Sequence, residues 1–253
     1  MTQHTLSDAF SLEGKNILVT GASSGIGRQV ALSCAAAGAT LIVTGRNLER
    51  LQAVLAELNR VGRDHRALPA DLMLDADIES LASAAGKIDG VVHSAGLSHL
   101  APMRMISRAH VESQLGTNVV APMLLTRQLL ARNCLREQGS ILFISSISAH
   151  IGVHGVSAYS ASKAALEGMA RSLSMEVARK KLRVNCLAPG LVETPMFEAA
   201  QSTTGGLEET LAKYPLGIGK PEDVANAVIF FLSRASRWIT GTTLVLDGGH
   251  TVG

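Results

Sequence analysis

Seven short runs, most of them apolar and β-branched, alternate along this chain with longer stretches at helical spacing, and that alternation constrains the fold more than any other feature. The runs are Asn16–Thr20 (NILVT), Thr40–Thr44 (TLIVT), residues 65–69, Ile88–His93, residues 140–145 (SILFIS), residues 182–187 and Thr243–Leu246. NILVT and TLIVT are continuously apolar rather than alternating, as strands buried on both faces must be. Between the runs, residues 26–37, 48–61, 78–84, 108–114, 119–135, 157–179 and 222–232 read as helices. Leu51, Val54, Leu55 and Leu58 recur at helical spacing in the second of these. Gly38 stands where a left-handed cap would end the first, and Pro221 opens the last in its favoured first turn. Strands alternating with helices predict an α/β architecture: a doubly wound, seven-stranded parallel sheet with helices on both faces. No linker or repeat interrupts the pattern, so residues 1–253 are expected to form a single domain, with residues 1–11 as an N-terminal tail.

Composition narrows the partners. Lys and Arg number 23 against 21 Asp and Glu, a net charge of +2, and aromatic residues make up only 3%. Neither a basic footprint nor a stacking platform for nucleic acid is present. No apolar run approaches the ~20 residues of a membrane span, and the polar opening is not a signal peptide. Three scattered cysteines, Cys34, Cys134 and Cys186, lack metal spacing and suit a reduced, cytoplasmic interior. His150 and His154 are four apart, but Gly152 and Gly155 break any helix between them, so no metal site is expected. The cysteines should be small buried hydrophobes, Met103, Met105 and Met123 core or cleft lining, and Trp238 a packing residue between elements.

In doubly wound sheets, ligands bind beyond the carboxyl ends of the strands. The first run ends in Gly21-Ala22-Ser23-Ser24-Gly25-Ile26-Gly27, whose glycines permit a tight turn and close approach to a pyrophosphate, with a helix N-terminus to receive the charge. The second ends in Gly45-Arg46-Asn47, without the acidic residue that would hold the ribose 2′-hydroxyl of NAD; Arg46 instead suits the 2′-phosphate of NADP. Tyr159 and Lys163, at i and i+4, place a phenol beside an ammonium, and an adjacent ammonium should lower the tyrosine pKa toward neutrality for acid–base work. Ser146 directly follows the fifth run, one loop before Tyr159, where its hydroxyl can meet the same substrate oxygen. A plain glycine turn, a solvated arginine or a surface Tyr–Lys pair would each explain one of these features alone.

Taken together, TGASSGIG, Ser146, Tyr159-x-x-x-Lys163 and Pro189-Gly190-x-x-x-Thr194 match the short-chain dehydrogenases/reductases in order and spacing, and the chain resembles that family from about Leu12 to Gly249. The resemblance implies a Rossmann fold and an oxidoreductase. Tyr159 would protonate a carbonyl oxygen as hydride arrives from the nicotinamide, Lys163 would hold the nicotinamide ribose and tune Tyr159, and Ser146 would orient the substrate. Asn118 would complete a proton relay through water. Cofactor contacts would come from Gly21, Ser23, Ser24, Gly25, Ile26, Gly27, Arg46, Asn47, Asp71, Leu72, Ser94, Ala95, Gly96, Tyr159, Lys163, Pro189, Gly190, Val192 and Thr194. NADP(H) is the preferred cofactor, with NAD(H) left open.

The sequence departs from the family in carrying His93-Ser94 where Asn-Asn is usual, which puts local stability in doubt more than chemistry. The resemblance is greatest to 3-oxoacyl-[acyl-carrier-protein] reductases of fatty acid biosynthesis. It implies an acyl-thioester substrate, acyl carrier protein as a partner and a homotetramer or homodimer. Residues 191–214 would form a substrate lid hinged at Gly205-Gly206, with Met196, Phe197, Leu207 and Leu211 as apolar contacts. Arg127, Arg132 and Arg171 could offer charge to an acidic carrier, though arginines on a helix surface are more often simply solvated. A dehydrogenase of a sugar, steroid or small secondary alcohol is the alternative, and a nucleotide-binding regulator without turnover the reading from a different class.

Overall fold

Side chains on alternate positions of the strands enter two separate apolar clusters. Ile17, Val19, Leu41, Val43, Leu142 and Leu187 point to one face of the sheet, and Leu18, Ile42, Val91, Ile141, Phe143 and Val184 to the other. The structure, a computed structural model, describes residues 6–201 and 211–252. Its strands are β1 (Asn16–Thr20), β2 (Thr40–Thr44), β3 (Arg66–Ala67), β4 (Ile88–His93), β5 (Leu135–Ile144), β6 (Arg183–Pro189) and β7 (Thr243–Leu246). They form one parallel sheet in the order β3-β2-β1-β4-β5-β6-β7. The order reverses between β1 and β4, which opens a crevice at their carboxyl ends.

The helices are α1 (Leu6–Phe10), α2 (Gly25–Ala36), α3 (Leu48–Leu58), α4 (Asp75–Ala85), α5 (Arg108–Leu115), α6 (Ala121–Ala131), α7 (Ser157–Glu176), α8 (Pro195–Gln201) and α9 (Pro221–Leu232). The apolar stripes of α2, α3 and α9 pack on the first face through Val30, Cys34, Leu51, Val54, Val228 and Phe231. Those of α4, α6 and α7 pack on the second through Ile78, Leu81, Leu125, Leu129 and Leu166. Each such side chain removed from water contributes about 1.5–3 kcal/mol, so both layers are needed.

Four expectations need correction. The expected tail carries a helix, α1 at Leu6–Phe10, whose Phe10 ring lies 6.2 Å from the Phe230 ring of α9. The third strand shrinks from residues 65–69 to Arg66–Ala67, because the His65 ring nitrogen Nδ1, rather than a strand carbonyl, accepts from Leu41 N–H at 3.0 Å. The helix expected over 119–135 stops at Ala131; Asn133 turns the chain with φ +52°, and Leu135 already belongs to β5. Before it, Gly116–Val120 forms a π-helical turn that joins α5 to α6 without a break.

Candidate active site

The carboxyl ends of β1, β4 and β5 bring the predicted residues together. Gly21 has φ +66°, and a Cβ there would lie 2.7 Å from the Ala95 Cα, so only glycine lets the first loop touch the β4 loop. Thr20 secures that contact: its Oγ1 accepts from both Ser94 N–H and Ala95 N–H at 3.1 Å. A Cβ on Gly96 would meet Asn118 Oδ1 at 3.3 Å and Lys163 Nζ at 3.4 Å, which sets the Ser94–Gly96 backbone directly over two of the proposed catalytic groups. On the other side of the loop, Gly25 faces the Thr194 side chain.

Asn118 sits in the π turn and is 1% exposed. Such turns are inserted in helices chiefly at functional sites. Its Oδ1 accepts from Leu97 N–H, and its Nδ2 donates to Leu97 O and to Ser162 Oγ, all at 2.9 Å. One turn earlier, Gln114 accepts from His99 N–H at 3.1 Å, so two amides one helical turn apart hold the chain that leaves β4.

Ser146 caps the short 3₁₀ turn Ile147–Ala149, and its Oγ accepts from Ser148 N–H at 3.2 Å. Its hydroxyl also lies close enough to the half-buried Tyr159 phenol to pull the phenol's pKa down. Lys163 lies under the Tyr159 ring, 5.5 Å from its centroid, and donates to Ile144 O at 2.8 Å. Burial lowers the lysine to about 8. The expected lowering of the tyrosine is reversed: burial raises the phenol above its ordinary value, and the Ser146 hydroxyl offsets only part of that. The ammonium faces the ring and a main-chain carbonyl rather than the phenol oxygen, so it gives the phenolate little support.

At the adenosine side, Asn47 is engaged as the N-cap of α3, accepting from Arg50 N–H at 2.8 Å, while Arg46 is exposed and enters none of the ion pairs among the described residues. Asp71 is placed beside them by Ala70 N–H donating to Gly45 O, and its carboxylate already accepts from Met73 N–H. Leu72 packs against the second cluster. A cavity of about 480 Å³ opens next to the glycine loop, lined by Ser23, Ser24, Arg28, Arg50 and Glu193 among others. The Arg28 charge is taken by Glu57 at 2.6 and 2.7 Å. Arg50 adds a further cation to this cavity, one that no sequence motif marks. At the nicotinamide side, Pro189 ends β6, Gly190 N–H donates to Leu246 O, Val192 is buried and pairs with Gly219, and Thr194 Oγ1 accepts from Phe197 N–H.

Leu191 N–H donates to the Tyr214 hydroxyl at 3.2 Å, so the two ends of the predicted lid are held together. Gly205, Gly206 and Leu207 lie outside the described residues. His93 settles more comfortably than its departure from pattern suggests. It is 3% exposed, stacks on Phe143 at 4.8 Å, and its Nε2 lies 2.9 Å from Thr126 Oγ1, although Nδ1 has no partner. Burial lowers its pKa to about 3, so the ring is neutral.

Trp238 is 91% exposed rather than packed between elements of the described chain, and Met103, Met105 and Met123 are exposed, which excludes the core and leaves cleft lining. Arg132 ends α6 beside the start of β5, the opposite end of the sheet from Ser146. Arg171 stands roughly 18 Å along α7 from Tyr159 at 1.5 Å per residue. The three cysteines are buried as expected, and burial raises their thiols.

Residues 21–251 match the family model described as enoyl-(acyl carrier protein) reductase. A 3-oxoacyl-[acyl-carrier-protein] reductase of Bos taurus is 38% identical over 91% of this chain and 95% of its own length. Gluconate 5-dehydrogenase of Gluconobacter oxydans is 33% identical over 97% and 98%. A blue fluorescent protein from a metagenomic library, solved in complex with NADPH, superposes with a TM-score of 0.89 at 30% identity, covering 96% of this chain and all of its own. With these relatives, this sheet order and this cluster of Asn118, Ser146, Tyr159 and Lys163, the chain belongs to the short-chain dehydrogenases/reductases, oxidoreductases that act on the CH–OH/C=O couple.

Proposed function

We propose that the chain is an NADPH-preferring carbonyl reductase whose substrate is a 3-oxoacyl thioester. The observation that carries the chemistry is the convergence of Ser146, Tyr159, Lys163 and Asn118 beneath the Gly96 backbone. Bound nicotinamide would supply the hydride. Ser146 and Tyr159 hydroxyls would then meet the carbonyl oxygen as negative charge builds on it, in the manner of an oxyanion site. The raised phenol suits this direction, because Tyr159 arrives protonated and ready to donate. Gly21, Ser23, Ser24, Gly25, Ile26 and Gly27 would cradle the pyrophosphate at the start of α2, and Arg46, with Arg50 nearby, would favour the 2′-phosphate.

The acyl-thioester reading is supported by the oxoacyl reductase among the relatives, with acyl carrier protein as the partner that would present the substrate. The equally complete match to a gluconate 5-dehydrogenase favours a second reading, oxidation of a sugar acid or other secondary alcohol. Among the described residues no helix is long and apolar enough to cross a membrane, and we place the protein in the cytoplasm as part of the same proposal. A homotetramer or homodimer, covering exposed apolar side chains such as Met175 and Trp238, completes it.

The test is Tyr159→Phe. Loss of the hydroxyl should lower kcat by about 10²–10⁴-fold with any carbonyl substrate while NADPH binding persists. Near-normal turnover in that variant would remove Tyr159 as the proton donor. Gluconate oxidation by the wild type without thioester reduction would favour the second reading.

A further inference from the structure

Tyr159, Lys163 and Glu167 lie at i, i+4 and i+8 on α7, so a single stripe of the helix carries a phenol, an ammonium and a carboxylate. Glu167 is only 7% exposed. A carboxylate so buried needs donors, and no Lys or Arg pairs with it among the described residues. Its donors are Ser145 Oγ–H at 2.8 Å and His150 Nε2–H at 2.9 Å. Both reach Oε1, and a carboxylate oxygen can accept from each.

These two donors sit at either end of the same short segment. Ser145 immediately precedes Ser146, and His150 immediately follows the 3₁₀ turn Ile147–Ala149 that Ser146 caps. Ser145 is fixed further by its N–H, which donates to Leu187 O at 2.6 Å, and its hydroxyl has Lys163 O as a second acceptor at 3.2 Å. The next residue back, Ile144, gives its carbonyl to Lys163 Nζ. A single buried carboxylate therefore ties both ends of the Ser146 turn to the helix that carries Tyr159.

We propose that Glu167 is a positioning residue for the reaction: it clamps residues 145–150 so that the Ser146 hydroxyl stays against the Tyr159 phenol, with His150 as the solvent-side jaw. The proposal rests on the reading that Ser146 and Tyr159 act on the substrate oxygen. A displacement of about 1 Å in such a pair is enough to cost about 100-fold in rate, which gives a side chain without substrate contact a strong lever.

The experiment compares Glu167→Ala and Glu167→Gln in the wild-type and Ser146→Ala backgrounds, measuring kcat, KM, NADPH affinity and hydrogen exchange of residues 145–151. Glu167→Ala should lower kcat about 10-fold or more with NADPH affinity within about twofold. Glu167→Gln, which keeps an acceptor oxygen, should recover most of the loss. In the Ser146→Ala background the same alanine change should add almost nothing, because the two residues act as one unit. Equal losses in both backgrounds, an unchanged kcat, or a glutamine variant as poor as the alanine would each overturn the proposal. Should Glu167→Ala not fold, His150→Ala removes one jaw and should show a smaller loss with the same dependence on Ser146. A wild type inactive on every carbonyl tested would defeat the underlying reading instead. Exchange would still decide the clamp: faster exchange confined to 145–151 in Glu167→Ala supports it, and unchanged or uniformly faster exchange refutes it.

Discussion

The two ends of the sheet are built from the same strands and treated in opposite ways. At the amino ends, Asp89 accepts from Asn16 N–H at 2.9 Å and pairs with Arg136 at 2.7 Å and Lys15 at 3.5 Å; nearby, Lys87 donates to Asn133 O and Lys181 pairs with Glu137. Polar groups there are matched and mostly wet. At the carboxyl ends the chain buries an uncompensated lysine and a neutral histidine beside a half-buried phenol. Four of the buried side-chain atoms without a partner, on Thr44, His93, Gln114 and Ser148, lie on this side. The fifth, His65 Nε2, lies beside the start of β2. A fold holds such groups only where something else is gained from them, so unsatisfied polarity is concentrated at the working end of the sheet.

That contrast can be broken most decisively at Lys163. Its folded pKa of about 8 lies below the ordinary 10.5, so the buried ammonium is a burden below pH 8 that is relieved as pH rises from 8 to 10.5. Lys163→Met should lose about 100-fold or more in kcat, the lower end of an acid–base contribution, without melting below the wild type at pH 7. Thermal scans of both proteins from pH 7 to 10.5 should show the wild type gaining on the variant as pH rises from 8 to 10.5, the shared buried thiols lowering both alike.

His93 gives the next largest effect. With a folded pKa of about 3 against 6.5, the unfolded chain binds the proton first, so this stability is complete above 6.5 and is lost as pH falls from 6.5 toward 3. The slope from this one group is about 1.4 kcal/mol per pH unit. His93→Asn should flatten the melting profile between pH 4 and 6.5; an unchanged profile would mean the ring is not buried and neutral.

Asp89→Asn tests the other end. It should cost about 2 kcal/mol in urea unfolding through weakened charge-assisted hydrogen bonds, with kcat unchanged. A loss of activity larger than the loss of stability would show that the two ends are coupled. The smallest effect should be Glu137→Gln, which removes an exposed partner of Lys181 and is expected to leave the melting temperature unchanged within error.

The same contrast explains what could be read from the sequence. Strands such as NILVT are legible because burial on both faces writes itself into consecutive residues, and Tyr159 and Lys163 because i, i+4 spacing is a local rule. Glycines at positions 21 and 96 are legible as motif members, though what they clear space for is not. Thr20, Gln114, Ser162 and Glu167 went unread because each finds its partner far along the chain: Thr20 at Ser94, Ser162 at Asn118, Glu167 at Ser145. The π turn at Gly116–Val120 has no residue signature, and the shortened β3 depends on one imidazole replacing a carbonyl. The sign of the Tyr159 shift is not legible in the sequence, because spacing reveals a neighbour's charge but not the direction it faces or the burial around it.

The most direct test is the initial rate of NADPH and NADH oxidation, measured side by side with an acetoacetyl thioester. The account predicts turnover with kcat/KM for NADPH above that for NADH. Protein that binds NADPH yet oxidises neither cofactor with this substrate would contradict the oxoacyl reductase assignment.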